Sequence, residues 1–398
     1  MGLSFAEALL ILGFLLAIAA GLSGWLHGTV LSISVLSLGA GIGLAMLDVV
    51  EASPGSQTLL YLVELALILT LFADGLYVES ELLQKHWGPA VRALVIAMPL
   101  TLVLLALIGK AIFPELSWAE AFLLGAVLSP TDPVVTSAVV TSARVPRTVR
   151  HTLNLESGLN DGLALPLVLF FLVLATPGGN AGVEAAKLGG EAVVGALIGV
   201  VLAVVAGRLL PRLPGGRMEP KYEGAYALGI GLAAFGLADV TYGNGLIAAF
   251  VAGIGLAASR RDIPHAFHEF NESVSAVFQI ATFFVFGALV VATGWDGSVW
   301  TIVLFILFAL FLARPVAVLV SFVGVDMPGP HKLFIAWFGP KGVASMLFAL
   351  FVLASTASDR TLIFDIAAFV ILASILAHGL TDTVGARWIE RRLGSEPG

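Results

Sequence analysis

Long apolar runs separated by short polar stretches repeat along the whole chain. Thirteen can be drawn, at roughly 3–23, 28–48, 57–78, 89–109, 118–141, 151–175, 186–207, 223–239, 243–258, 272–293, 299–325, 332–355 and 361–384. Most hold the ~18 or more residues that a helix needs to cross a ~30 Å hydrocarbon core. In hydrocarbon every backbone polar group must be satisfied within the segment, so each run predicts a helix. The first run, Leu3 to Leu22, lacks a basic leader and reads as a span and not as a cleaved signal peptide.

Two runs are interrupted. Segment five contains "LSPTDPVV", residues 128–135, and segment twelve contains "FGPKG", residues 338–342. Proline removes a helical N–H and clashes with the preceding turn. The two interruptions lie seven spans apart, so they cross in opposite directions. An inverted repeat of segments one to six with eight to thirteen brings them to equivalent places, the pattern that marks a transporter's midplane binding site. A simple packing kink does not account for two equivalent breaks that each carry a charge. Asp132 is expected at the positive start of one half-helix, and Lys341 at the negative end of another.

Composition agrees with the pattern. Of 398 residues, 59% are apolar and 12% charged, about half the usual charged share. With thirteen crossings, fifteen basic loop and tail residues fall on one side: Lys85, Arg92, Arg144, Arg147, Arg150, Arg208, Arg212, Arg217, Lys221, Arg260, Arg261, Lys332, Arg387, Arg391 and Arg392. Only Lys110, Lys187 and Arg360 fall on the other. The excess predicts an outside N-terminus and a cytoplasmic C-terminus. No soluble domain is expected after Ala386, and the final "GSEPG" reads as disordered. The chain has no cysteine, which excludes disulfides and thiolate-held metals.

Few charges remain at depth. At ~1.5 Å per residue, Asp132, Asp161, Arg314 and Lys341 lie ~14–16 Å from the cytoplasmic side, near the centre of a ~30 Å core. Segment six reads "LNLESGLNDGLALP", residues 153–166, and places Ser157 and Asp161 on one face. Glu156 and Asn160 form an adjacent stripe. These are hard oxygen donors suited to Na⁺, K⁺ or Li⁺. A carboxylate in such a dry site can hold a proton and release it when a cation arrives, which is all that antiport requires. Glu156 reads as the ion-pair partner of Arg314, and Asn160 as an orienting hydrogen-bond donor. Glu64 reads as a hydrogen-bonded or dimer-face carboxyl. Asp74, in "LFADGL", is expected near the cytoplasmic end, against water or a helix end. Asp365 is expected near a span end.

At "SPTDPVV", "ESGLNDG" and "ARP" the chain resembles the sodium/proton antiporters of the NhaP and sodium/hydrogen exchanger kind, the cation:proton antiporter-1 family. The resemblance implies an all-α, thirteen-helix, NhaA-like inverted-repeat fold with unwound crossing helices five and twelve. It implies a six-helix ion-binding core, 89–175 and 299–384, beside dimerisation and scaffold helices, 1–80 and 186–293. It implies Asp161 as the shared proton and cation carboxylate, with Asp132, Thr131 and Ser157 completing the ion site and Asn160, Glu156, Arg314 and Lys341 supporting it. Asp161, Thr131 and Ser157 are the implied Na⁺ ligands. Many relatives carry arginine where this chain has Lys341. The Asn160–Asp161 order resembles the electroneutral branch, one cation per proton.

The expectation is thus a pH-homeostasis antiporter of a prokaryotic inner membrane, not an enzyme, with no cofactor beyond its transported ions. Its expected partners are lipid and a second copy of itself, not nucleic acid. K⁺/H⁺ exchange, a cation channel and an intramembrane hydrolase built on Asp132 and Asp161 are the alternatives. The basic pair Arg314 and Lys341 opposes the protonated acid pair that the hydrolase needs.

Overall fold

The computed structural model describes residues 5–26, 33–54, 56–82, 87–132, 142, 144–178, 181–209, 219–259 and 263–393. The second half of segment five, 133–141, lies outside them, as do Lys85, Arg212, Arg217, Arg260, Arg261 and the closing "GSEPG". The described chain is helical throughout. Its helices are α1 Phe5–Leu26, α2 Ile33–Met46, α3 Gln57–Leu82, α4 Gly88–Ile112, α5 Trp118–Leu128, α6 Arg147–Ala175 and α7 Ala181–Leu209. There follow α8 Pro220–Val240, α9 Gly245–Ser259, α10 Ile263–Thr293, α11 Val299–Ser321, α12 Gly329–Trp337, α13 Val343–Ala354 and α14 Arg360–Leu393. Each of the thirteen segments overlaps one of these, segment five only in its first half and segment twelve with the pair α12 and α13. Among the described residues, eight helices are long and apolar enough to cross a membrane, and five shorter helices are also apolar.

Two pairs of helices meet so closely that each partner needs a glycine at the contact. A methyl group at Gly75 on α3 would overlap the Phe250 carbonyl of α9, and one at Gly253 on α9 would overlap the Phe72 carbonyl of α3. α2 and α10 meet in the same way through Gly41 and Gly287. Small residues let helix backbones approach where no hydrophobic force separates helix from lipid. An offset of seven helices turns α2 into α9 and α3 into α10, so it maps one pair onto the other.

The same offset links α4 with α11. Each contains one π-turn, Ala93–Ala97 in "ALVIAMP" and Ala309–Ala313 in "ALFLARP". A proline follows each turn, Pro99 and Pro315. A widened turn relieves the clash between a proline ring and the carbonyl four residues earlier. The two distorted helices pack on each other at these turns.

Ser117 starts α5 with a capping box. Its hydroxyl accepts from the Glu120 N–H at 3.3 Å, and Glu120 Oε2 accepts from the Ser117 N–H at 2.8 Å. Glu120 Oε1 also accepts from the Asp359 N–H at 3.1 Å, tying the start of α5 to the turn before α14. The helices thus deliver both breaks, the polar face of α6 and the π-turn of α11 to one buried region.

Candidate ion site at the crossing breaks

The helix of segment five ends at Leu128. Pro130 has no N–H to continue it, and the Ser129 hydroxyl donates back to the Ala126 carbonyl at 3.0 Å. The helix of segment twelve stops at Trp337 and resumes at Val343, with Pro340 between. The two breaks touch. The Asp132 N–H donates to the Pro340 carbonyl at 2.9 Å. The Val343 N–H donates to Asp132 Oδ2 at 2.9 Å. Lys341 Nζ donates to the Pro130 and Ser129 carbonyls at 3.2 and 3.4 Å.

Each charge therefore sits on the exposed end of the other segment's helix. Asp132 caps the first turn of α13, where free N–H groups carry partial positive charge. Lys341 caps the carbonyls that follow α5, where the partial charge is negative. Both side chains are buried. Lys341 meets backbone oxygens here, the interaction a compact ammonium makes without a planar fork.

Helix α6 supplies the remaining polar groups. Asn160 Nδ2 donates at 2.9 Å to both the Thr131 carbonyl and the Thr131 hydroxyl, so it orients the break. Glu156 pairs with Arg314 through two parallel bonds of 2.7 and 3.2 Å. This is the fork-to-fork geometry of the strongest ion pairs. Arg314 follows the π-turn of α11 and lies against Gly339, where any side chain would overlap the guanidinium. The pair thus fixes α6 and α11 and lines the second break. Ser157 and Asp161 lie buried one turn apart on α6.

Sequence reasoning missed the partner of one acid. Asp74 is half-buried, with its Oδ2 fully covered. It lies against Asp161, and the two carboxyls share a hydrogen bond, with Asp132 as a third neighbouring charge. The helix explains the error. α3 runs on to Leu82 although the apolar run stops near 78, so Asp74 is eight residues from its end, ~12 Å along the axis. Continuing the helical pattern past the apolar run would have found it. His378 and Ser374 on α14 were also missed. Ser374 Oγ accepts the Lys341 N–H at 2.9 Å, and His378 Nε2 lies 2.9 Å from the Trp337 carbonyl. Asp365 meets the Thr293 hydroxyl at 2.6 Å, away from the breaks.

Three buried oxygens on α6 and α3 have no hydrogen-bond partner: Asp161 Oδ1, Asn160 Oδ1 and Asp74 Oδ2. Buried acceptors without donors are rare and call for a proton, an ion or water. Among the described residues no three acidic or histidine side chains stand in metal-holding geometry. A cation here would be met by a carboxylate together with hydroxyl, amide and main-chain oxygens, a donor set that suits a monovalent ion.

Buried charges at the end of α5 and in the gap between α12 and α13, in a chain of long apolar helices, mark a multi-pass membrane transporter. The chain belongs to the sodium/hydrogen exchanger transmembrane family, the cation:proton antiporter-1 family, whose model matches residues 6–385. It is 26% identical over 347 residues to the K⁺/H⁺ antiporter NhaP of Alkalimonas amylolytica, covering 84% of this chain and 58% of that protein. It is 28% identical over 304 residues to Na⁺/H⁺ antiporter 2 of Zygosaccharomyces rouxii, covering 71% and 37%. The chain thus spans less than two thirds of the length of these relatives. Its fold matches the solved structure of the sodium proton antiporter MjNhaP1 from Methanocaldococcus jannaschii at pH 8, with TM-score 0.78, 21% identity, and 98% and 99% of the two chains covered.

Proposed function

We propose that the chain exchanges H⁺ for a monovalent cation, Na⁺ in the first instance, by competition at Asp161. The observation that carries this reading is that Asp161 and Asp74 lie against each other, each with a buried oxygen that has no hydrogen-bond partner, beside Asp132 at the end of α5. A proton shared between Asp161 and Asp74 neutralises one of two adjacent carboxyls. A cation can take its place only if the proton leaves, so each excludes the other. Thr131, Ser157 and Asp132 complete the cation's shell. Asn160 holds Thr131, Glu156 and Arg314 brace the wall, and Lys341 offsets the end of α5.

The site opens to alternate sides as a core of residues 89–175 and 299–384 moves against a scaffold of 1–80 and 186–293. Asp161 then belongs to the core and Asp74 to the scaffold, so their shared hydrogen bond crosses the moving boundary. The protein works as a homodimer in a prokaryotic inner membrane, with a cytoplasmic C-terminus. Exchange is one cation per proton.

K⁺ as the cation is the second reading, favoured by relatives named K⁺/H⁺ antiporters. The deciding experiment is proton flux in proteoliposomes against Na⁺, K⁺ and Li⁺, with and without a clamped membrane potential. Saturable, cation-dependent proton flux that is indifferent to potential supports the proposal. Cation flux uncoupled from protons sinks it in favour of a channel.

A further inference from the structure

Between Trp337 and Val343 the helical ladder is interrupted, so the backbone groups of the second break must be held from elsewhere. Helix α14 holds them on both sides of Pro340. Ser374 Oγ accepts the Lys341 N–H at 2.9 Å. One turn on, His378 Nε2 lies 2.9 Å from the carbonyl of Trp337. Between the two, the Ser374 hydroxyl lies 3.2 Å from His378 Nδ1. Ser374, His378 and Lys341 are all buried.

These contacts have one complete assignment of protons. A carbonyl only accepts, so the ring must carry its proton on Nε2 to bond Trp337. Nδ1 is then a bare acceptor, and the Ser374 hydroxyl donates to it. The Ser374 oxygen in turn accepts the Lys341 N–H. The chain runs in one direction, from the Lys341 N–H through the Ser374 hydroxyl and the ring to the Trp337 carbonyl. The other neutral tautomer points Nδ1–H at the Ser374 carbonyl, 2.7 Å away, which already belongs to the helical ladder of α14. That tautomer takes the acceptor from the Ser374 hydroxyl and sets a ring lone pair against the Trp337 carbonyl. An imidazolium also takes the acceptor from Ser374. It adds a third positive charge beside Arg314 and Lys341, the charged groups that act on the ring among the described residues.

The ring is fixed in place as well. It stacks on the Trp337 indole with centroids 5.0 Å apart and meets Phe338 edge-on. The indole N–H donates to the Thr381 hydroxyl at 3.0 Å, which itself donates to the Ala377 carbonyl at 2.8 Å. α14 thus grips Trp337 at two points and Lys341 at one. The break so held carries the contacts to segment five. The Pro340 carbonyl accepts the Asp132 N–H at 2.9 Å, and Lys341 Nζ reaches the Pro130 and Ser129 carbonyls.

We infer that Ser374 and His378 are positioning residues for exchange. Together they form a hydrogen-bonded splint across the second break, with His378 as a neutral ring protonated on Nε2 and not as a proton carrier. The splint sets the height of Lys341 and Pro340, and through them that of Asp132, without touching the cation. The inference rests on the antiport reading for its effect on transport. Its bonding pattern does not.

The test has two arms on the whole protein. The first is ¹⁵N spectroscopy of the imidazoles, with His378 assigned by its absence in His378→Gln. One protonated nitrogen, Nε2, and one bare nitrogen, Nδ1, should persist from pH about 5 to about 8, the range in which histidine ordinarily titrates. In Ser374→Ala the Nδ1 signal should move, because its donor is gone. A doubly protonated ring in that range, a proton on Nδ1, or an Nδ1 signal indifferent to Ser374→Ala overturns the inference. The second arm is proton-coupled flux against pH and cation concentration, compared at equal amounts of folded protein. Ser374→Ala leaves the Lys341 N–H without its acceptor. It should raise the cation KM about tenfold, the size of one lost buried hydrogen bond, with the maximal rate kept. His378→Gln offers an amide oxygen to Ser374 and an amide N–H to Trp337, and cannot carry a proton. It should exchange with a KM near wild type, while His378→Ala should raise KM as Ser374→Ala does. Loss of exchange in folded His378→Gln would make the ring a proton carrier and contradict the inference. So would a wild-type KM in Ser374→Ala and His378→Ala. Should the wild-type protein exchange no cation, the antiport reading fails, and the first arm alone decides this inference.

Discussion

Asp132 Oδ2 accepts the backbone N–H of Val343 at 2.9 Å, so a carboxylate from one interrupted segment closes the first turn of the other segment's half-helix. A midplane aspartate is costly in isolation. Here it is offset by the dipole end it caps. Replacing Asp132 with alanine orphans that N–H and should destabilise the protein by about 1–2 kcal/mol, the usual cost of a lost helix cap. The substitution Asp132→Asn keeps an acceptor oxygen, so that variant should unfold close to wild type. Thermal denaturation of the purified variants in detergent separates the two.

The Glu156–Arg314 pair has no water to fall back on. Removing one partner leaves an uncompensated buried charge, at a cost of about 3–5 kcal/mol. Glu156→Gln should therefore accumulate poorly and unfold early. Arg314→Lys should also fail to restore stability, because an ammonium cannot make the paired bonds of 2.7 and 3.2 Å. A stable Arg314→Lys protein would show that the charge matters and the fork does not.

Asp74 is expected to act with Asp161. In Asp74→Asn the shared hydrogen bond persists with an amide, but one negative charge is gone. The variant should fold and bind the cation with an affinity shifted by about tenfold, the equivalent of one pKa unit, with a displaced pH profile. Flux measured against pH and cation concentration reads both effects.

Much of this arrangement is legible in the sequence because charge in hydrocarbon is scarce. The prolines at 130 and 340, the acids on α6 and the two bases stand out against apolar surroundings, and helical rise places them at one depth. Three things are not legible. Asp74 is hidden because α3 continues past its apolar run, so the polarity boundary is not the helix boundary. His378 and Ser374 are hidden because a histidine in an apolar helix carries no fixed charge and its partners lie 33 to 41 residues away. The repeat of "ALVIAMP" in "ALFLARP" is hidden because its meaning is a π-turn, which no apolar period announces.

Outside the spans, the turn before α14 carries its own pH dependence. Burial first, and then the charge of Glu120, push the Asp359 carboxyl above the ordinary aspartate range. A group whose folded pKa is raised supports the fold most below its unfolded value, and that support fades as pH rises through the folded one. Asp359→Asn should therefore be more stable than wild type at neutral pH. The gap should close as pH falls toward about 4, the ordinary aspartate value. Melting curves of both proteins across that window check the sign.

The central claim is that one carboxylate, Asp161, is contested by proton and cation. Proteoliposomes containing Asp161→Asn test it most directly, with cation-driven proton flux compared against wild type at matched protein content and matched thermal stability. The account predicts a folded protein with no exchange. Wild-type exchange by that folded variant would contradict it.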